Sequence, residues 1–456
     1  MHFIKNTGNI SGIKVQICDM SFTHGVDLKM GQSLMKDSSL YVAVYKNKDE
    51  INYELAGKLI AKAILEYDLR SVFLDVDDAT SENLARLAFG LQLRLWKFDF
   101  YKADHIADRE IAILCKDPKE AANAFQEYKV LGDSLNFARK LAAEPANKLP
   151  PKAFVERLDG MTALGIKVSV LDREALQNHK MNAMLAVAQG SVQEPFCVVM
   201  EYKGDVDSQE SIAFVGKGVC FDSGGLFIKD QKTMPYMKYD KAAAASVVGA
   251  IMAIAKNKLK ANVIGVIGLV ENMPDGNAQK PGDVITSMSG KTIEVGDPDA
   301  EGRLVLADCL FYASQNYAIK YMLSFGTLTG NTVASLASEY AGLFTYDEAL
   351  ASDIIKAGVV SQDKVWRLPL GEFAKKQIRS EIADLKNLGD LHAGDNAAAA
   401  EFLNECAGLK RFAHLDIAGV TWVEEDTNDF AKGVTGYGVR LIYELASNSN
   451  SKDSIK

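Results

Sequence analysis

Strong positive charge is missing from this sequence. Its 456 residues carry 51 Lys and Arg against 60 Asp and Glu, a formal balance of −9. Nucleic-acid affinity rests mainly on clustered Lys and Arg facing phosphates, so a broad polynucleotide-binding surface is not expected. Histidine is scarce: the six (His2, His24, His105, His179, His392, His414) are dispersed, and no HExxH-like spacing occurs. A metal site, if one exists, must therefore be built from carboxylates rather than imidazoles. The six cysteines (Cys18, Cys115, Cys197, Cys220, Cys309, Cys406) form no CxxC pair and no regular spacing. That argues against a disulfide framework and for reduced thiols in a cytosolic protein. Long apolar runs are also lacking. The longest, Ala242–Ala255, has fourteen residues between Lys241 and Lys256, short of the ~20 that cross a bilayer. The opening MHFIKNTGNISGIKVQ contains no apolar signal-peptide core. A soluble, cytoplasmic protein without a membrane partner is expected.

What is present is a globular composition, 48% apolar and 24% charged. The length exceeds one ordinary core, which predicts two domains. Short β-branched runs alternate with longer helix-like segments, the pattern of an α/β protein. Strands are predicted at Tyr41–Tyr45, Ser71–Val76 and Glu110–Cys115, with helices at Glu54–Tyr67 and Ser81–Leu95. A polar helical stretch, Pro118–Ala143, runs into Glu144-Pro-Ala-Asn-Lys-Leu-Pro-Pro151, whose prolines cannot continue it. The division is therefore a smaller N-terminal α/β domain (1–130), a linker helix and turn (131–150), and a larger α/β domain (151–456). Within the larger domain, strands are predicted at Lys167–Asp172, Cys197–Tyr202, Ser211–Gly216, Asn262–Val270, Lys291–Val295 and Tyr321–Gly326. Helices are predicted at Lys241–Ala255, Arg303–Gln315 and Ala397–Cys406.

Three polar segments each follow a predicted buried strand. They are Val215-Gly-Lys-Gly-Val-Cys-Phe-Asp-Ser-Gly-Gly225, Asp297-Pro-Asp-Ala-Glu-Gly-Arg303 and Gly326-Thr-Leu-Thr-Gly330. Ligands of open α/β sheets bind beyond the carboxyl ends of the strands, so the three could converge. Convergence would gather Asp222, Asp299 and Glu301, with Asp240 from Met237-Lys-Tyr-Asp240 and the cations Lys217, Lys229 and Arg303. Four carboxylates repel one another, and two divalent ions would neutralise them; oxygen ligands suit Mg²⁺, Mn²⁺ or Zn²⁺. Taken singly each segment has a blander reading. Asp-Ser-Gly-Gly is a common turn, Asp240 a helix N-cap, and Asp-Ala-Glu-Gly-Arg a solvated helix start. Gly-Lys-Gly is not a phosphate loop, because no Gly-x-x-x-x-Gly-Lys-Ser/Thr is present.

Their combination resembles the leucyl aminopeptidase (cytosol aminopeptidase) family, over about Asn136 to Leu445. Val-Gly-Lys-Gly…Phe-Asp-Ser-Gly-Gly, Met-Lys-Tyr-Asp before an Ala-rich helix, Asp-Ala-Glu-Gly-Arg-Leu and Thr-Leu-Thr-Gly carry the likeness. Trp366-Arg-Leu-Pro-Leu370, Asp384-Leu-Lys-Asn387 and His414-Leu-Asp-Ile-Ala-Gly419 extend it. The resemblance implies a metal-dependent aminopeptidase that removes leucine-like N-terminal residues from peptides. It assigns one ion to Asp222, Asp299 and Glu301, and a second to Lys217, Asp222, Asp240 and Glu301. It gives Lys229 and Arg303 catalytic roles, the latter holding bicarbonate as a proton shuttle. Met237, Thr327 and Gly330 would line the pocket for the N-terminal side chain. Two ions (Zn²⁺ or Mn²⁺, with Mg²⁺ as a third candidate) and a homohexamer are implied.

Lys217 would be an unusual ligand, since an ammonium cannot coordinate until adjacent dications strip its proton. One departure from the family pattern is Asp297-Pro298, where Asn-Thr is usual. It adds a fifth carboxylate near the residue after the scissile bond, which would favour basic or neutral residues there. The rival readings are a DNA-binding regulator retaining the peptidase fold and a two-metal phosphoesterase. The intact ligand set and the acidic balance favour the aminopeptidase.

Overall fold

The computed structural model of the chain describes residues 1–5, 12–19, 28–45, 51–76, 79–103, 109–389 and 393–449. His24, His105 and His392 lie outside the described residues. Two compact units emerge: Met1–Asn136 with Val423–Gly433, and Phe137–Trp422 with the chain from Val434 onward.

The first unit is a six-stranded sheet in the order His2–Ile4, Glu110–Leu114, Ser71–Asp75, Ile13–Asp19, Ser39–Tyr45, Ser33–Lys36. All neighbours are parallel except the last pair. Helices Tyr53–Glu66 and Ser81–Leu95 begin at Asn52 and Thr80, whose side chains accept the N–H groups of Leu55 and Asn83. Such caps satisfy donors that a helix start would otherwise orphan. The late segment Val423–Gly433 joins this unit through ionic contacts. Fully buried Arg94 donates to Asp426 (3.0 Å) and to the Thr427 carbonyl (3.2 Å), and Lys58 to Asp429 (2.9 Å).

The second unit is built on an eight-stranded mixed sheet flanked by helices. Its order is Val365–Arg367, Ala341–Phe344, Phe412–Asp416, Ile319–Gly326, Ser211–Asp222, Asn262–Asn272, Phe196–Lys203, Lys167–Leu171. The four middle strands are parallel, and antiparallel pairings join them to the flanks. The register sets Gly326 beside Asp416 and Asn272 beside Asp222, so all four carboxyl ends share one edge. From Ser211–Asp222 the chain crosses through helix Ala242–Lys256 to Asn262–Asn272 on one side. It then returns through helix Glu301–Asn316 to Ile319–Gly326 on the other. This reversal of strand order is where open sheets place their ligands.

The Ser211 strand runs six residues further than its apolar pattern predicts, ending at Asp222. Lys217 and Asp222 therefore belong to the strand and not to a loop after it. Gly216 explains the Gly-Lys-Gly sequence: a Cβ there would sit 2.8 Å from the Ala244 backbone. The glycine lets the Ala-rich helix lie directly on the strand, which a phosphate loop would not require. Among the described residues no helix is long and apolar enough to cross a membrane.

Candidate active site

Lys217 enters the site from the middle of the Ser211 strand, 3% exposed. Its stem passes Gly302, where a Cβ would lie 2.6 Å from the lysine Cδ and Cε. Glycine between Glu301 and Arg303 is thus what allows the lysine through. Lys217 Nζ reaches Asp240 Oδ2 (2.9 Å) and Glu301 Oε1 (2.8 Å), and donates to the Thr327 carbonyl (3.0 Å). Lys229 Nζ lies against Asp222 Oδ2 (2.8 Å) and Asp299 Oδ1 (2.5 Å). Carboxylate oxygens of Asp222, Asp299 and Glu301 all fall within 4.8 Å of one another. Seven of the residues singled out by sequence are therefore in mutual contact: Lys217, Asp222, Lys229, Asp240, Asp299, Glu301 and Thr327.

Asp240 is not the helix cap that its position taken alone suggests. The helix after it starts with Lys241 at the N-cap and no side-chain cap, while Asp240 ends the 3-10 turn Met234–Tyr239. Its carboxylate instead faces Lys217 and accepts the Thr327 hydroxyl at 2.6 Å. Freed from capping, it is available as a ligand. Buried Lys241 holds the turn by donating to the carbonyls of Glu144 (2.8 Å) and Lys238. Met237 lies on that same turn, and Gly330 opens the short helix Gly330–Leu336, with nothing within 4 Å of where its Cβ would be.

Asp297-Pro298 is locally self-consistent. Asp297 Oδ1 accepts the Asp299 N–H (2.7 Å), and the Ala300 N–H reaches the Asp297 carbonyl (3.1 Å). Pro298 thus occupies the second position of a turn, where its fixed φ is favoured and no N–H is needed. The substitution stiffens the loop that presents Asp299, and one Asp297 oxygen is used in doing so.

Two asparagines that sequence reasoning gave no role hold these loops. Asn272, at the end of its strand, donates to Asp222 Oδ1 (2.8 Å) and the Pro298 carbonyl (3.1 Å). Asn387 is fully buried. Its Oδ1 accepts the N–H groups of Gly296 (2.7 Å) and Asp297 (3.2 Å), and its Nδ2 donates to the carbonyls of Asp297 (2.7 Å) and Ala300 (3.3 Å). Every side-chain hydrogen-bonding group of Asn387 thus grips the turn carrying Asp299 and Glu301. The signal available was Asp384-Leu-Lys-Asn387 itself, noted only as a likeness. Asn387→Ala is expected to keep the fold yet weaken divalent-metal affinity about 10–100-fold, as loss of ligand-supporting contacts does. A chelator-competition titration checks this, and unchanged affinity would remove the role. Asp416 does comparable work for the Thr327 loop, accepting from Thr329 (2.6 Å), Thr332 (2.8 Å) and the Leu328 N–H (3.2 Å).

The electrostatics describe a cluster that wants more positive charge. Fully ionised, four carboxylates (three buried, with Asp299 half-buried) against two ammoniums would leave two negative charges uncompensated. Burial first, then the neighbouring carboxylates, pushes Asp240 up to about 8 and Asp299 up to about 7, and raises Glu301. Burial alone would lower Lys217 and Lys229, but the acids outweigh it and hold both ammoniums above the ordinary lysine range. The buried oxygens Asp240 Oδ2, Glu301 Oε1 and Asp299 Oδ1 each meet only a lysine ammonium, at 2.9, 2.8 and 2.5 Å. Inward-facing carboxylate oxygens whose one partner is a cation form a hard-donor set that fits divalent ions. Lys217 bridges two acids that the resemblance assigns to one ion, and Lys229 two that it assigns to the other.

Arg303 corrects an expectation. It is 2% exposed, and its guanidinium is already bound: Nη1 donates to the Asn387 carbonyl (2.7 Å) and Asp395 Oδ1 (3.0 Å), and Nη2 to Asp395 Oδ2 (3.2 Å). The fork on which a bicarbonate would rest is filled by a carboxylate of the chain, so that ion does not fit here.

Comparison with known proteins agrees with this geometry. Residues 136–443 match the cytosol aminopeptidase family, catalytic domain. A "Probable cytosol aminopeptidase" of Caulobacter vibrioides is 44% identical over 378 residues, 81% of this chain and 76% of that protein. One from Wolbachia pipientis wMel is 44% identical over 370 residues, 79% and 74% of the two chains. Among solved structures, the bottromycin maturation enzyme BotP in complex with Mn superposes with a TM-score of 0.86 at 29% identity, covering 96% of this chain and 99% of that one. The chain belongs to the cytosol aminopeptidase family and is a leucyl aminopeptidase-type metallo-exopeptidase.

Proposed function

We propose that the buried acids hold two divalent ions and that the enzyme releases leucine-like N-terminal residues from peptides. The observation that carries the reading is a cluster of four carboxylates in which Asp240 Oδ2, Asp299 Oδ1 and Glu301 Oε1 face inward on lysine ammoniums alone and the acids outnumber the cations. Asp222, Asp299 and Glu301 would hold one ion; Lys217, Asp222, Asp240 and Glu301 the other. Ions so placed supply Lewis acidity and a nucleophilic water at neutral pH. Lys229, with 15% of its side chain exposed, is the cation that faces the developing oxyanion. Met237, Thr327 and the open space at Gly330 receive the N-terminal side chain. Zn²⁺ and Mn²⁺ are the candidate metals, with Mg²⁺ third. A cytoplasmic homohexamer is part of the same proposal and is supported by family membership.

Metal content measured together with leucine anilide hydrolysis, before and after chelation, tests the reading. Activity should vanish with the metal and return with Mn²⁺ or Zn²⁺; hydrolysis indifferent to chelation would overturn it. Metal uptake should also release protons. Lys217 must give up its proton to coordinate, and Asp240 and Asp299, raised to about 8 and about 7, are partly protonated at pH 7. Calorimetry in two buffers of different ionisation enthalpy should detect at least about one proton released per chain at pH 7. Apparent affinity should rise between pH 6 and 8. No release would remove Lys217 as a ligand.

A further inference from the structure

We propose that Asp395 is the built-in anion of Arg303, serving as the proton carrier, so that this enzyme works without dissolved bicarbonate. The inference rests on the aminopeptidase reading.

A guanidinium buried to 2% in the first turn of a helix needs an anionic partner, because an uncompensated buried charge is costly. Arg303 finds it in Asp395 through two parallel N–H···O contacts of 3.0 and 3.2 Å. That fork-to-fork pairing is the one guanidinium makes with any planar two-oxygen anion, carbonate included. A carbonate at the same edge would first have to expel Asp395.

Asp395 is anchored against expulsion. It opens helix Asp395–Cys406 after Gly394 in the left-handed region (φ +76°), and an acidic side chain in a first turn is favoured by the helix dipole. The Asn387 carbonyl occupies Arg303 Nη1 a second time at 2.7 Å, fixing the plane of the guanidinium. The Asn387 side chain also clamps the Asp299–Glu301 turn, so the pair is referenced to the acid cluster through one residue. Of the two partners, Asp395 is the accessible one, with 16% of its side chain exposed against 2% for Arg303.

In hydrolysis the attacking water's oxygen bonds to the carbonyl carbon and one of its protons passes to the Asp395 carboxylate. The carbon–nitrogen bond then breaks with its electron pair on nitrogen, and Asp395 returns the proton to that nitrogen. The carboxylate ends as it began.

The metal-loaded full-length protein, in buffer stripped of carbon dioxide, provides the test. Wild type should hydrolyse leucine anilide at the same kcat with and without 20 mM (roughly millimolar-range, as for a weak anion site) bicarbonate. Calorimetric titration with bicarbonate should show no saturable heat. Asp395→Ala should lose at least about 100-fold in kcat, the scale of general acid–base catalysis, and recover most of it with bicarbonate or formate. The same variant should now bind bicarbonate saturably. Asp395→Asn, which fills the place without accepting a proton, should be inactive and not rescued. Stimulation of wild type by bicarbonate, saturable binding to wild type, or full activity of Asp395→Ala without added anion would each overturn the proposal. The two wild-type measurements stand even where a variant does not fold. Absence of any leucine anilide hydrolysis by metal-loaded wild type would instead defeat the aminopeptidase reading, while the calorimetry still tests the seat on Arg303.

Discussion

Metal-free Glu301→Gln should melt at a higher temperature than metal-free wild type, while binding fewer than two ions and losing at least about 10³-fold in kcat/KM, about 4 kcal/mol. Glu301 is 1% exposed, and its Oε1 meets Lys217 Nζ at 2.8 Å. Its raised pKa, from burial first and Asp222 next, shows that the folded protein disfavours the charged form. Lys217 keeps Asp240 and the Thr327 carbonyl as partners when Glu301 is neutralised. The pH dependence has a definite sign. For carboxyls raised in the fold, the stabilisation is fully present below their unfolded values and lost as pH rises through the folded ones. With Asp299 at about 7 and Asp240 at about 8, metal-free wild type should weaken steadily from near pH 4 to above 8. The advantage of the glutamine variant should therefore be larger at pH 8 than at pH 5. Saturating metal should reverse the ranking, since only wild type gains the full binding free energy. Thermal melts with chelator and with Mn²⁺ at both pH values check this. A metal-free variant less stable than wild type at pH 8 would show that Glu301 is a structural partner of Lys217 and not one acid too many.

Lys229→Ala should do the opposite to the metal-free protein and leave the metal sites loaded. Removing the ammonium takes a cation from Asp222 and Asp299, so the metal-free variant should melt below wild type. With two ions bound the acids are neutralised and that difference should shrink. The catalytic loss should persist: about 10²–10³ in kcat, or about 2.7–4 kcal/mol, the scale for one oxyanion donor. KM should change far less than kcat, because the contact strengthens as charge develops on the carbonyl oxygen. Normal kcat with both metals present would take Lys229 out of the chemistry and leave it as a counter-ion of the empty cluster.

Much of the site was legible because its residues lie in short stretches whose local chemistry is distinctive. Asp299, Glu301 and Arg303 fall within five positions, and Lys217 and Asp222 within six. Asp240 entered as a ligand only through the family resemblance; its position alone reads as a cap, since capping preference is a local statistic and its contacts with Lys217 and Thr327 come from remote segments. Asn272 and Asp395 carried no such signal, and Asn387 and Asp416 lay in stretches that gave a family likeness but no role. Each acts through hydrogen bonds to chain segments between 26 and 92 residues away, or in the case of Asp416 to a loop 84 to 88 residues earlier. An asparagine that clamps a turn reads like any loop asparagine until the turn arrives.

The sequence by itself determined the α/β class and most element positions, among them Ser81–Leu95 and Pro118–Ala143, because periodicity and capping act over a few residues. It also determined that any metal centre would be made of carboxylates, lysine entering only through the family resemblance. Only the tertiary structure decided the strand order that sets four carboxyl ends on one edge, the return of Val423–Gly433 to the first unit, and the filling of the Arg303 fork by Asp395. Those outcomes depend on contacts between residues remote in sequence, whose energies exist only once the chain has closed the intervening loops.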